Sequence, residues 1–139
     1  MVVDSHTLKI RTRREGEVVD ITGRVQDMVN DSKVSEGVAF LFVPGSTAAL
    51  TTIEYEPGLV SDLPAALDRI VPKDISYEHE KRWHDGNGHS HVRASLLGPD
   101  LAVPFQHRKL SLGAWQQIVF VELDTRPRDR TIIAQLNGD

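Results

Sequence analysis

Three of the six histidines, with an acid, two glycines, an amide and an arginine, fall within Trp83-His84-Asp85-Gly86-Asn87-Gly88-His89-Ser90-His91-Val92-Arg93. Imidazole nitrogens suit borderline metals, and glycines let a backbone come close to a metal or an anion. One histidine here would read as solvated surface. His84, His89 and His91 together read as a metal or catalytic centre, since clustered histidine and carboxylate groups mark such sites. His89 and His91 stand two apart, so an extended backbone points both to one side, whereas a helix turns them about 200° from each other. Joint binding of one metal therefore predicts an extended or tightly turned segment, with any helix starting at or after Ser90. Gly86 and Gly88 make that turn accessible, and His84 would add a third nitrogen. No HExxH spacing is present.

The same residues have a second reading as an anion site. Asn87, Gly88 and the amides after them could open a short helix with Arg93 one turn in, where free N–H groups and a guanidinium bind phosphate. Arg93 could equally pair with a carboxylate. Metal and anion sites coexist in metal-assisted phosphate chemistry. Elsewhere, Ser46 and Thr47 lie in a glycine-containing loop after an apolar strand, a place for ligand hydroxyls and also for ordinary turn contacts. Glu54 and Glu56 share a strand face opposite Tyr55. Glu56 reads as surface charge, and Glu54 joins the site if its strand end faces the histidine loop. Trp115, followed by Gln116, is either a pocket wall or a core tryptophan. His6, His79 and His107 stand apart and read as surface or capped histidines. A Ser90–His89–Asp85 triad lacks the GxSxG nucleophile elbow.

Regular elements must position these groups. Val3 to Arg13 and Glu17 to Ile21 alternate as strands around a turn at Glu15-Gly16. Thr22 is the expected N-cap of a helix reaching Val34, with Val25, Met28 and Val29 at helical spacing. The apolar run Val38-Ala39-Phe40-Leu41-Phe42-Val43 predicts a buried strand. After the Pro44-Gly45-Ser46-Thr47 breaker, Ala49 to Tyr55 is strand-like. Pro57-Gly58 opens a second helix lined by Leu59, Leu63, Ala66, Leu67 and Ile70 and followed by Pro72. Val92 to Leu97 predicts a short helix stopped at Gly98-Pro99. Leu101 to Phe105, Lys109 to Leu112, Gln116 to Leu123 and Thr131 to Leu136 read as short strands. Strands at both ends with two or three helices between them describe an α+β domain on a largely antiparallel sheet.

The 139 residues fit one domain with a real core. The absence of cysteine removes disulfides, thiolate metal sites and cysteine nucleophiles, leaving nitrogen and oxygen ligands for any metal. A net charge of -4 argues against nucleic-acid binding, which needs a basic face. The basic stretches Lys9 to Arg14 and Arg126 to Arg130 read as solvated strand ends. No apolar run approaches the roughly 18 residues that span a membrane. The first residues lack a signal-peptide pattern, so the expected compartment is the cytoplasm.

Val43-Pro44-Gly45-Ser46-Thr47-Ala48-Ala49-Leu50, Thr52-Ile53-Glu54, Asn87-Gly88-His89-Ser90-His91-Val92-Arg93-Ala94, Leu97-Gly98-Pro99 and Leu112-Gly113-Ala114-Trp115-Gln116-Gln117-Ile118 resemble the YjbQ-like family. Its members are described as secondary thiamine-phosphate synthases. The resemblance covers nearly the whole chain, 1–139, and implies a single α+β domain with a β-sandwich-like core, assembled as a homotrimer. It implies a histidine cleft for a divalent metal (Zn, Mg, Mn, Ni or Fe). Carried over by position, His89, Glu54 and Arg93 are the catalytic candidates and His89 and His91 the metal candidates, to which the segment's own composition adds His84. Ser46, Thr47, Asn87, Gly88, Ser90, Trp115 and Gln116 are the candidates for substrate binding. Many members have histidine where this chain has Gly45, with His84 as the candidate replacement.

The activity this implies joins a hydroxymethylpyrimidine diphosphate to a thiazole phosphate and expels pyrophosphate. The partner expected is a small phosphorylated substrate, not nucleic acid or membrane. Two other readings stay open: a non-catalytic trimeric module binding a metal or small anion, and a metal-assisted phosphate-ester hydrolase.

Overall fold

In a computed structural model describing residues 1–139, the chain makes eight strands and four helices. They are β1 (Val2–Arg11), β2 (Val18–Asp20), α1 (Thr22–Asp31), β3 (Gly37–Phe42), β4 (Ala48–Ile53), α2 (Pro57–Ile70), α3 (Glu78–Trp83), α4 (Gly88–Leu97), β5 (Asp100–Gln106), β6 (Lys109–Leu110), β7 (Gln117–Glu122) and β8 (Asp129–Gly138). The strands form two antiparallel sheets, one ordered β1-β8-β3-β5-β6 and the other β2-β7-β4. The α+β domain with antiparallel sheets is as the sequence predicts. No helix is long and apolar enough to cross a membrane.

The main core lies between the sheets. Leu8, Ala39, Leu41, Val103, Ile132, Ala134 and Leu136 of the larger sheet meet Val25 and Val29 of α1 and Ile118 and Phe120 of β7. The continuous apolar run of β7 explains its place. Its other side, Val119 and Val121, packs beneath Leu67 of α2 and Ala94 of α4. A strand covered on both faces needs no polar alternation. The layers are thus the larger sheet, the smaller sheet with α1 beside it, and α2 with α4.

Several local expectations are corrected. Strand β3 is not buried on both faces: Ala39 and Leu41 point into the core, while Val38, Phe40 and Phe42 are 37–38 % exposed. The helices all lie on the smaller sheet's side, so nothing within the chain covers this apolar face. Thr22 is the first residue of α1 instead of its cap. Its N–H donates to Asp20 Oδ1 (2.9 Å), and its hydroxyl accepts from the Ile118 N–H (2.8 Å). Glu56 is the N-cap of α2, accepting from the N–H groups of Gly58 and Leu59. Since β4 ends at Ile53, Glu54 and Glu56 share no strand face. Ile70 is exposed and leaves the predicted apolar face of α2. The helix α3 was not foreseen, and α4 starts at Gly88, before the predicted start.

Candidate functional site

One end of the two sheets gathers polar side chains around a cleft of about 440 Å³. Its walls are the β3–β4 loop with Gly45, Ser46 and Thr47, the β7–β8 connection with Asp124 and Arg128, the start of β8 at Arg130, and Asn87 and His91 at the start of α4. The pairing of Ala48 with Glu122 brings the first two walls together.

A buried ion pair underlies the cleft. Arg130 donates from Nε to Glu122 Oε1 (3.0 Å) and from Nη2 to Glu122 Oε2 (2.5 Å). Burying such a pair is costly unless the remaining lone pairs and protons are satisfied. Here the Thr12 hydroxyl and the Asp124 N–H donate to the same carboxylate, at 2.7 and 3.1 Å. Arg130 Nη2 also donates to the Thr47 carbonyl (3.2 Å) and hydroxyl (2.9 Å), which ties the β3–β4 loop to the floor.

Asp124 accepts from the Thr125 N–H (2.8 Å) and the Thr47 hydroxyl (3.2 Å), with Arg128 Nη1 at 3.2 Å. Burial pushes its pKa upward. Hydrogen bonds from Thr125, Asn87 and Thr47 and the charge of Arg128 outweigh that push, leaving the carboxyl below its ordinary value. Asn87 stands between two carboxylates: in one amide orientation it donates to Asp124 at 3.4 Å, in the other to Asp85 at 2.9 Å.

Beside Asn87 the rings of His79 and His91 lie 4.4 Å apart. The Nδ1 of His79 is 3.3 Å from Asp85 Oδ1, and ligand atoms of His79, Glu80 and Asp85 lie within 4.8 Å of one another. Burial, then the neighbouring His79, lowers the His91 pKa against the pull of Asp85, Asp124 and Glu80. The lowered value favours the neutral ring, the form in which imidazole ligates a metal. The His79 Nδ1 is buried and has no hydrogen-bonded partner. An imidazole nitrogen without a well-formed hydrogen bond, beside two carboxylates and a second imidazole, is a donor set that fits a divalent transition metal.

Of the residues anticipated from sequence, Ser46, Thr47, Asn87 and His91 line the cleft. The others sit elsewhere. His89 is on helix α4, turned away from His91, and its buried Nε2 meets Glu15 Oε1 at 2.5 Å; Lys73 Nζ is 2.6 Å from the same carboxylate. His84 is an exposed left-handed residue at the end of α3. Gly88 starts α4, and its N–H bonds to Glu80. A Cβ there would stand 2.5 Å from Glu80 Oε1 and 2.7 Å from Tyr77 Cβ, so the glycine permits the α3–α4 approach.

Ser90 is wholly buried with an unpartnered hydroxyl. Arg93 clamps the end of α2, donating to the Val71 carbonyl from Nε (3.0 Å) and Nη2 (2.8 Å) and to Asp68 (2.8 Å). Glu54, Trp115 and Gln116 cluster at the far end of the smaller sheet, where Ile53 pairs with Gln117. Five residues of strand, roughly 17 Å, separate that end from Ala48. Trp115 is exposed and walls no pocket within this chain, and Gln116 donates to the Thr52 hydroxyl at 3.0 Å.

Sequence reasoning missed His79, Asp124, Arg128 and Arg130. His79 lacked a partner within its own segment. The two arginines were hidden in a run that reads as solvated charge; only the strand periodicity of Arg130-Thr131-Ile132 hinted that Arg130 points inward.

The family described as UPF0047 protein YjbQ-like matches residues 6–139. A UPF0047 protein of Methanothermobacter thermautotrophicus is 39% identical over 138 residues, covering 99% of this chain and 94% of its own length. The UPF0047 protein YugU of Bacillus subtilis is 33% identical, with 95% and 98% covered. A YbjQ-like protein of unknown function from Sulfolobus solfataricus superposes with a TM-score of 0.89 at 31% identity, covering 99% and 100% of the two chains. A yjbq/upf0047 family protein of Clostridium acetobutylicum gives 0.86 at 34% identity, with 95% and 99% covered. Sequence and fold agree over almost the full length, and the chain belongs to the YjbQ-like UPF0047 family.

Proposed function

We propose that this protein is a divalent-metal-dependent enzyme acting on a small phosphorylated substrate in the cleft between the β3–β4 loop and α4. The observation that carries the reading is the cluster of ligand atoms from His79, Glu80 and Asp85 beside the His91 ring, at the edge of a cleft rich in hydrogen-bond donors. His79, Glu80 and Asp85 would hold the metal, with His91 beside them adding a nitrogen. When bound, the metal supplies Lewis-acid charge that stabilises a phosphorylated leaving group. Asn87 orients Asp85, Asp124 fixes Thr47 and Arg128, and Arg128 offers a cation to the substrate.

Within this class, the resemblance favours condensation of hydroxymethylpyrimidine diphosphate with thiazole phosphate and release of pyrophosphate. The test is thiamine phosphate formation with Zn, Mg, Mn, Ni or Fe added in turn, using His91→Ala as the control. A loss of at least about tenfold is expected in the variant, since one metal ligand is gone. Equal product from both proteins would remove the site assignment. Metal retained without turnover favours the binding-module reading, and phosphate release from generic esters favours the hydrolase.

The uncovered apolar face of β3 supports self-association, and the family resemblance suggests three copies. Val38, Phe40 and Phe42 lie on a central strand, where a monomer has no reason to keep three large apolar residues outward.

A further inference from the structure

Gly45 lines the cleft, yet its backbone is not in the left-handed region that favours glycine. Conformation therefore gives no reason for glycine there. Space gives one: a Cβ at this position would stand 3.2 Å from Arg130 Nη1, close enough that the guanidinium would have to shift by a few tenths of an ångström. The arginine is 7% exposed, and its Nε and Nη2 are fully engaged by Glu122 and Thr47. Its Nη1 has no protein partner and reaches the cleft across the bare Cα of Gly45. A guanidinium held by a carboxylate on one edge and by Thr47 at Nη2 is rigid, so the N–H groups of Nη1 are fixed, charge-assisted donors for an oxyanion.

Neighbouring groups fit the same ligand. The Ser46 and Thr47 N–H groups donate to no protein acceptor. Arg128 lies on the same wall, with Asp124 holding one of its nitrogens at 3.2 Å. The carboxylates facing this region are already committed: Glu122 to Arg130, Asp124 to Arg128, and Asp129 to Arg11 at 3.2 Å. We infer that Arg130 Nη1, exposed by the missing side chain of Gly45, anchors a phosphoryl oxyanion with Arg128 as the second cation. Gly45 is then a specificity-determining position. This rests on the reading of the cleft as the working site. It adds that anion recognition belongs to the protein's own donors and persists without metal.

The experiment is a titration of chelator-treated, metal-free protein with inorganic phosphate, followed by phosphorus NMR and calorimetry. Saturable binding is expected for the unaltered chain. Gly45→Val, which caps Nη1, should weaken it by about tenfold or more, the scale of a lost charge-assisted hydrogen bond. Gly45→Ala should fall between, and it serves if the valine variant does not fold. Arg128→Gln should weaken binding independently. No saturable binding in the unaltered chain, or equal affinity in the folded Gly45 variants, would overturn the inference. Gly45-dependent phosphate binding without thiamine phosphate formation leaves this site standing and removes the proposed reaction. Metal-dependent turnover with Gly45-independent phosphate binding does the reverse.

Discussion

His89 and His91, two residues apart, serve different purposes because helix α4 turns them to different surroundings. His91 meets His79 at the cleft, whereas His89 meets Glu15 in the interior. The two alanine variants should therefore separate. His91→Ala is expected to abolish stoichiometric metal binding, read by elemental analysis after dialysis, with little change in melting temperature. His89→Ala is expected to retain the metal but cost about 2 kcal/mol by leaving the Glu15–Lys73 pair without its buried partner. A denaturant titration showing no loss would sink that role.

Glu15 carries a pH signature. Burial raises its pKa, but hydrogen bonds from Lys73 and His89 and their charges bring it below the ordinary value of 4.5. A folded pKa below the unfolded one contributes stability that is present above the ordinary value and lost as pH falls through the folded value. The melting-temperature gap between the unaltered protein and Glu15→Gln should therefore be full at neutral pH. It should shrink steadily once the pH drops below the ordinary glutamate range.

At the level of elements, Arg93 links α4 to α2. The last carbonyls of a helix have no partner within it. The Arg93 guanidinium satisfies Val71 at the end of α2 while Asp68 balances its charge. Arg93→Ala should cost about 2–4 kcal/mol in chemical denaturation, with phosphate affinity in the folded fraction unchanged. A variant that kept its stability but lost phosphate affinity would return Arg93 to the binding role first expected from sequence. Gly88→Ala should also destabilise, because its Cβ would meet Glu80 and Tyr77 where α3 packs on α4. Since α3 carries His79, that variant should lose metal along with stability.

For the whole molecule, the uncovered face of β3 is the feature that a single chain leaves unexplained. Phe40→Asp places a charge at its centre, and light scattering should report a fall in mass towards the 15.5 kDa of one chain. An unchanged mass would place any assembly on another surface. The separation of Glu54, Trp115 and Gln116 from the cleft bears on the same question. These residues lie away from the cleft of their own chain, at the opposite end of β4 and β7.

The sequence by itself determined the α+β class, the antiparallel strands, and the ranges of most elements to within a few residues. Periodicity and turn residues act locally and are written directly in the chain. Alternation placed Arg130 on a strand without saying that its partner would be Glu122, because both lie in segments with more than one plausible face. The histidine segment was legible as a candidate site, but its geometry was not: a helix starting earlier than expected sent His89 inward and left His91 at the cleft. Only the tertiary structure brought His79 to His91, Glu15 to His89, and Gly45 to Arg130. Those pairings arise from packing between segments distant in sequence, where each residue alone looks like ordinary surface or turn chemistry.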